Sequence, residues 1–105
     1  MKKAEFYSAV HIAGEDKTGK LLRNGYTIKT ESNNFGIFKN EFGDFDIIDL
    51  ETGLSINFLR FYKLKDFRNN IRAFDEKLIE FKTKNKDFYN QLIEKFTNYD
   101  ILKEE

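Results

Sequence analysis

The sequence contains no cysteine, no proline and no tryptophan, and His11 is its single histidine. The absence of cysteine excludes disulfides, thiolate metal ligands and thiol nucleophiles. A catalytic triad or a histidine-based zinc site would have to be built around His11, which falls on the strand face opposite Phe6 and Val10 and is typical of a surface residue. We therefore predict no catalytic residues, no bound metal and no cofactor.

Long apolar runs and an excess of one charge are also missing. The chain has 18 basic and 18 acidic residues, so no overall field attracts nucleic acid or an anionic membrane. No stretch approaches the roughly 20 apolar residues of a membrane span, and residues 1–12 are too polar for a signal peptide. We expect a cytoplasmic protein with no membrane partner. Lysine far outnumbers arginine and asparagine is frequent, which is typical of an AT-rich bacterial genome or one of its mobile elements.

The length of 105 residues allows one hydrophobic core, so we predict a single domain at 1–105 with strands in about 4–60 and helices in about 63–103. Alternating apolar residues predict strands at 4–12, 26–30, 35–38, 45–50 and 54–56. Turns are expected at Asn24-Gly25, at Asn33-Asn34 and at 51–53. The predicted fold class is α+β, a four- or five-stranded antiparallel meander followed by two C-terminal helices packed on one face.

The apolar residues change to a helical period near residue 64. They follow one another at intervals of three and four: Leu64, Phe67, Ile71, Phe74, Leu78 and Phe81. Two architectures fit this period. Either the chain breaks at 83–86 and Asn85 or Asp87 caps a second helix, or residues 63–102 form one long helix whose apolar seam dimerises as a coiled coil. We favour two helices and keep a homodimer through the seam as an expectation.

Residues 14–20 match the G-x-x-x-x-G-K core of a phosphate-binding P-loop. Leu21 stands where that motif needs a magnesium-binding hydroxyl. A further turn, and not a helix, is predicted next. We interpret the segment as a solvated hairpin loop.

Two opposite charge runs follow. The acidic run has no intervening cation and comprises Glu41, Asp44, Asp46, Asp49 and Glu51. It is a candidate docking surface for a partner with a basic surface, or a solvated edge that resists aggregation. Asp44 and Asp46 fall on one face of the predicted strand and Asp49 falls on the other, which argues against a single metal site.

The basic run forms a stripe beside the predicted helical seam, and its candidate nucleic-acid-binding residues are Arg60, Tyr62, Lys65, Arg68 and Arg72. Cations next to an aromatic ring can contact phosphates and stack a base. The acidic and basic runs could equally face each other within the molecule. The sequence predicts a non-enzymatic protein-binding module, for example a phage accessory protein that inhibits a host defence or nucleic-acid enzyme. The alternative is a single-stranded DNA- or RNA-binding protein.

Overall fold

The computed structural model describes residues 1–56 and 63–102. Its elements in chain order are β1 (Lys2–Ile12), β2 (Lys17–Lys29), β3 (Asn34–Lys39), β4 (Phe45–Asp49), α1 (Leu64–Lys84) and α2 (Lys86–Asn98). The strands form one antiparallel sheet in the order β1-β2-β3-β4, which confirms the predicted α+β meander followed by two helices. In the predicted fifth strand, Ser55 makes only an isolated bridge with Ile48. The part of the predicted strand region at 57–60 lies outside the described residues.

The β1–β2 hairpin is longer than the sequence predicted. Its ladder runs from Lys2 opposite Thr27 to Ile12 opposite Lys17, so the predicted turn at Asn24-Gly25 is wrong and these residues lie inside β2. A Cβ atom on Gly25 would overlap the carbonyl oxygen of Ile37 on β3. The glycine therefore permits a close approach of two strands. The sequence pattern alone does not distinguish a glycine in this role from a glycine in a turn.

Hydrophobic residues of β3 and β4 alternate between two clusters, one on each face of this strand pair. The cluster under the helices has these buried members: Phe35, Ile37, Ile47, Phe67, Phe74, Leu78 and Tyr89. The opposite face holds a smaller cluster in which Phe6 of β1 packs on Phe38 and Ile48. The helices thus cover one face of β3–β4, and the hairpin β1–β2 covers the other.

The C-terminal region forms two helices separated by Asn85, so the alternative of one continuous helix is wrong. The backbone N–H of Asn85 donates to the Phe81 carbonyl at 2.9 Å, and its side-chain amide donates to the same oxygen at 3.1 Å. Neither Asn85 nor Asp87 supplies the predicted cap, because α2 has no side-chain hydrogen bond at its N-cap. The break changes the direction of the helix axis, and the rings of Phe81 and Tyr89 meet with centroids 6.2 Å apart.

The apolar seam of α1 faces the sheet, where Phe67, Phe74 and Leu78 are buried. These side chains are therefore occupied inside the molecule. Within the described residues, neither helix is long and apolar enough to cross a membrane.

The chain after α2 returns to the β1–β2 hairpin. Lys20 N–H donates to the Asp100 carbonyl, and Leu102 N–H donates to the Lys20 carbonyl, both at 2.8 Å. On the other side of the hairpin, Ala9 N–H donates to the Gly53 carbonyl at 2.8 Å. The hairpin is thereby fixed on one edge to the chain after α2 and on the other edge to the turn after β4.

Candidate protein-binding surface

The tip of the β3–β4 hairpin carries an exposed aromatic side chain. Phe42 is 81 % exposed, more than any other large hydrophobic residue in the described part of the chain. It follows Glu41 and precedes Gly43, whose φ of +88° lets the chain reverse direction. We name residues 40–44 the tip. A large apolar ring held in water is a characteristic anchor of protein interfaces.

Asn40 holds the tip in one conformation. Its side-chain oxygen accepts the N–H of Phe42 at 2.9 Å, and its amide donates to Asp44 and, at 3.1 Å, to Asp46. Backbone bonds join Asn40 N–H to the Asp44 carbonyl at 2.9 Å and Gly43 N–H to the Asn40 carbonyl at 3.2 Å. Because these bonds fix the turn before any partner arrives, binding through Phe42 would lose little backbone entropy.

Three carboxylates lie in or beside the tip, although they differ in access. Glu41 is exposed, Asp46 is half-buried and Asp44 is buried against Asn40. Lys39 is exposed at the end of β3 and supplies one opposing charge. The tip therefore combines an apolar anchor with a negative rim, in which Glu41 and Asp46 are the accessible charges.

The other two residues of the acidic run belong to the interior of the fold. Asp49 is 2 % exposed and accepts hydrogen bonds from the Thr52 hydroxyl at 3.0 Å and the Tyr89 hydroxyl at 2.6 Å. Glu51 lies 2.9 Å from the same Tyr89 hydroxyl and 3.6 Å from the Lys82 ammonium group. The structure thus divides the predicted five-residue acidic cluster. Glu41 and Asp44 lie in the tip and Asp46 lies beside it on β4, whereas the last two residues join the sheet to the helices.

Tyr89 lies at the centre of this second group. Its hydroxyl is buried between two carboxylates, and it has one proton to donate. Burial is the main cause that raises the pKa of Tyr89 well above its ordinary value of 10.0, followed by the hydrogen bond and charge of Asp49 and then those of Glu51. The phenol therefore stays protonated and acts as a hydrogen-bond donor that ties α2 to β4.

A cleft of about 230 Å³ opens above Tyr89, between the two helices and the chain after β4. Its apolar walls include Leu54, Ile56, Phe81 and Leu92. The polar groups beneath, Asp49 and Tyr89, already bond to each other. The lining also includes Thr52, Ser55 and Lys77, so the cleft combines apolar walls with several polar side chains.

The basic stripe is partly described. Lys65, Arg68 and Arg72 are exposed on α1 and follow one another at intervals of three and four, which places them on one helix face. Arg60 and Tyr62 lie outside the described residues. Among residues 1–56 and 63–102, no ion pair joins this helix face to the tip, so intramolecular cancellation of the two charge runs is not observed.

The remaining candidates of the sequence lie at the β1–β2 turn. His11 Nδ1 lies 2.7 Å from the Thr18 hydroxyl, and Nε2 lies 3.8 Å from Asp16. Residues 14–20 lead from a 3₁₀ turn into β2, with no helix after them to bind a phosphate. No group of three His, Cys, Asp or Glu side chains converges as metal ligands would in the described ranges.

Sequence reasoning overlooked Phe42. The signal was an aromatic residue between Glu41 and Gly43, outside any alternating or helical period that would bury it. Comparisons with models of protein families, with curated proteins and with solved structures found no match to this chain. The candidate surface is therefore defined by the chain's own geometry: an exposed ring, a fixed turn and two accessible carboxylates.

Proposed function

We propose that the protein is a non-enzymatic protein-binding module that inserts Phe42 into an apolar pocket on a partner with a basic surface. The observation that carries this proposal is the 81 % exposure of a phenylalanine at the end of a fixed turn. Exposing an aromatic ring of this size to water costs about 1.5–3 kcal/mol relative to burying it. A partner that covers the ring recovers that free energy.

The charges at the tip define the kind of partner. Glu41 precedes Phe42 in the turn and Asp46 lies against Asn40, and both would meet lysine or arginine side chains around the pocket. Opposite charges at a rim raise the association rate and select the partner more than they raise affinity. One form of this function is inhibition of a host defence or nucleic-acid enzyme in the cytoplasm by a phage or mobile-element protein, with the carboxylates occupying a surface that otherwise binds phosphates.

The test is a comparison of three baits in a nuclease-treated lysate of a low-GC bacterium: the wild type, Phe42→Ala and Phe88→Ala. Phe88 is a matched control because it is also an exposed phenylalanine, at 51 %, but lies on α2. We expect a protein retained by the wild type and by Phe88→Ala to be lost with Phe42→Ala. Calorimetry with the purified partner should then show at least a tenfold weaker affinity for Phe42→Ala, since anchors of this kind contribute about 2 kcal/mol or more.

The control variants also decide what a negative result means. Phe42 has no packing role in either hydrophobic cluster, so Phe42→Ala should keep the circular dichroism spectrum and melting temperature of the wild type. A partner that binds Phe42→Ala as tightly as the wild type would contradict the proposal. Partners lost equally with both variants would contradict it as well, because the tip would then have no special role.

One observation favours a second function, the binding of single-stranded nucleic acid. Lys65, Arg68 and Arg72 are exposed on one face of α1 and have no ion-pair partner among the described residues. Three phosphate contacts would give a log–log salt slope of about −2 for a single strand. A labelled oligothymidine titrated at several salt concentrations tests this, with Arg68→Glu/Arg72→Glu as the variant and Lys86→Glu/Lys95→Glu as the control of equal charge. Equal effects of the two double variants would exclude a specific role for the stripe.

A further inference from the structure

The edges of the sheet are not equally covered. Along β4, Asp49 N–H donates to the Leu54 carbonyl at 2.9 Å, and Ile56 N–H donates to the Ile47 carbonyl at 2.7 Å. The edge of β2 is occupied at Lys20 by backbone bonds to Asp100 and Leu102, and from Tyr26 onward by β3. Within residues 1–56 and 63–102, the edge of β1 has a hydrogen-bond partner only at Ala9.

The direction of the β1 backbone groups follows from this one bond. In an antiparallel ladder, successive residues point their N–H and C=O groups alternately toward and away from the neighbouring strand. Since Ala9 N–H points away from β2 to Gly53, the backbone groups of Lys3, Glu5 and Tyr7 also point away from β2. These groups have no hydrogen-bond partner in the part of the chain that the structure describes, and Lys3 and Glu5 are exposed.

We propose that this edge pairs with the same edge of a second copy of the chain, so that two β1 strands lie antiparallel across a twofold axis at Ala4. In this register, Lys3 of each copy stands opposite Glu5 of the other. Each Lys3–Glu5 pair exchanges two backbone hydrogen bonds, about four in all, and places opposite charges side by side on one face. The two sheets become one continuous sheet.

Charge selects this register among the alternatives. A shift by two residues in one direction places Lys3 opposite Lys3 of the second copy, and a shift in the other direction places Glu5 opposite Glu5. Like charges directly opposite each other are destabilising. A shift by one residue brings outward backbone groups opposite groups already bonded to β2, so no ladder forms. Charged side chains protect a free sheet edge from pairing with other strands. Here Lys3 and Glu5 of one copy are complementary to Glu5 and Lys3 of the second copy.

The interface is small, which predicts a weak dimer. Pairing over residues 2–6 buries less than the roughly 1,200 Å² typical of stable complexes, so association is expected in the micromolar range or above. Neither Lys3 nor Glu5 makes an ion pair within the described residues, so changing their charge should leave the monomer intact. The dimer does not depend on Phe42, and its failure would leave the protein-binding proposal unaffected.

Analytical ultracentrifugation up to millimolar protein tests the pairing by charge exchange. We expect the wild type to dimerise, and Lys3→Glu and Glu5→Lys each to weaken the dimer at least tenfold. The double variant Lys3→Glu/Glu5→Lys and an equimolar mixture of the two single variants restore opposite charges and should dimerise again. A wild type that is monomeric at every concentration overturns the proposal and leaves the edge to a strand of another protein. A dimer that persists in both single variants overturns it too.

Disulfide formation tests the register directly, because the chain has no native cysteine. In the proposed register, Ala4 of one copy faces Ala4 of the other as a non-hydrogen-bonded pair. The Cα atoms of such a pair lie about 4.5 Å apart, within the range that a disulfide spans. Ala4→Cys should therefore give a crosslinked dimer on mild oxidation. Ala9→Cys is the control, since the Ala9 edge is occupied by Gly53. Equal crosslinking of both variants, or none with Ala4→Cys, would overturn the register.

Discussion

Replacement of Tyr89 by phenylalanine isolates the hydrogen bond that joins α2 to the sheet. The hydroxyl donates to Asp49 at 2.6 Å and lies 2.9 Å from Glu51, and the residue is only 5 % exposed. A hydrogen bond to a charged acceptor contributes about 1.5–3 kcal/mol. Asp49 keeps the hydrogen bonds from the Thr52 hydroxyl and from Glu51 N–H in the variant. We therefore expect Tyr89→Phe to lower the free energy of unfolding by about 2 kcal/mol at pH 7.

The same substitution changes how stability depends on pH. Burial and the neighbouring carboxylates raise the pKa of Tyr89 in the folded state above the ordinary value of 10.0 that applies when the chain is unfolded. The resulting stabilisation is fully present below pH 10 and is lost as the pH rises further, by about 1.4 kcal/mol per pH unit. The phenylalanine variant lacks this contribution. Because the unfolded tyrosine is only half deprotonated at pH 10, the difference in stability between the two proteins should narrow by about 1 kcal/mol from pH 10 to pH 11.

Urea denaturation of the wild type and Tyr89→Phe at pH 7, 10 and 11 measures both effects. Tyr26→Phe is the control, since the Tyr26 hydroxyl makes no hydrogen bond within the described residues and should change neither quantity. A Tyr89→Phe variant as stable as the wild type at pH 7 would refute the hydrogen-bond reasoning. A difference that stays constant up to pH 11 would refute the pKa reasoning.

Three further substitutions test the core and the turns. Phe74→Ala removes a ring that is 0 % exposed and whose centroid lies 5.2 Å from that of Phe67. Urea denaturation should show that the free energy of unfolding falls by about 3–5 kcal/mol. A decrease below about 1 kcal/mol would contradict the packing described for this ring. Gly43 and Gly53 both have positive φ, at +88° and +69°, but only at Gly53 would an added methyl group overlap Phe96. Gly43→Ala should cost about 1–2 kcal/mol from backbone strain and Gly53→Ala clearly more, so equal melting temperatures would contradict this assignment.

The fold could be predicted where the spacing of apolar residues indicates which side of a strand or helix is buried. Alternation identified β1, and the spacing from Leu64 to Phe81 identified α1, because each of these elements buries mainly one side. The turn prediction at Asn24-Gly25 failed for a tertiary reason. That dipeptide favours a turn locally, but pairing with β1 along its whole length and the contact of Gly25 with Ile37 hold it in a strand. A local pattern carries no information about that contact.

The candidate surface was only half visible in the sequence for the same kind of reason. The acidic run from Glu41 to Glu51 reads as one surface, yet its members serve two purposes, because the side chain of Asp49 faces the helices and meets Tyr89. Phe42 becomes distinctive only when its exposure is compared with that of the buried phenylalanines in the described residues, since an aromatic residue in a short chain is by default a core residue. What separates it is the hydrogen bonding of Asn40, which fixes the turn and holds the ring in solvent. A protein that needed only a soluble turn would gain by replacing this ring with a polar residue. The exposure of the ring on a fixed turn, beside accessible carboxylates, is the reason to expect a partner at the tip.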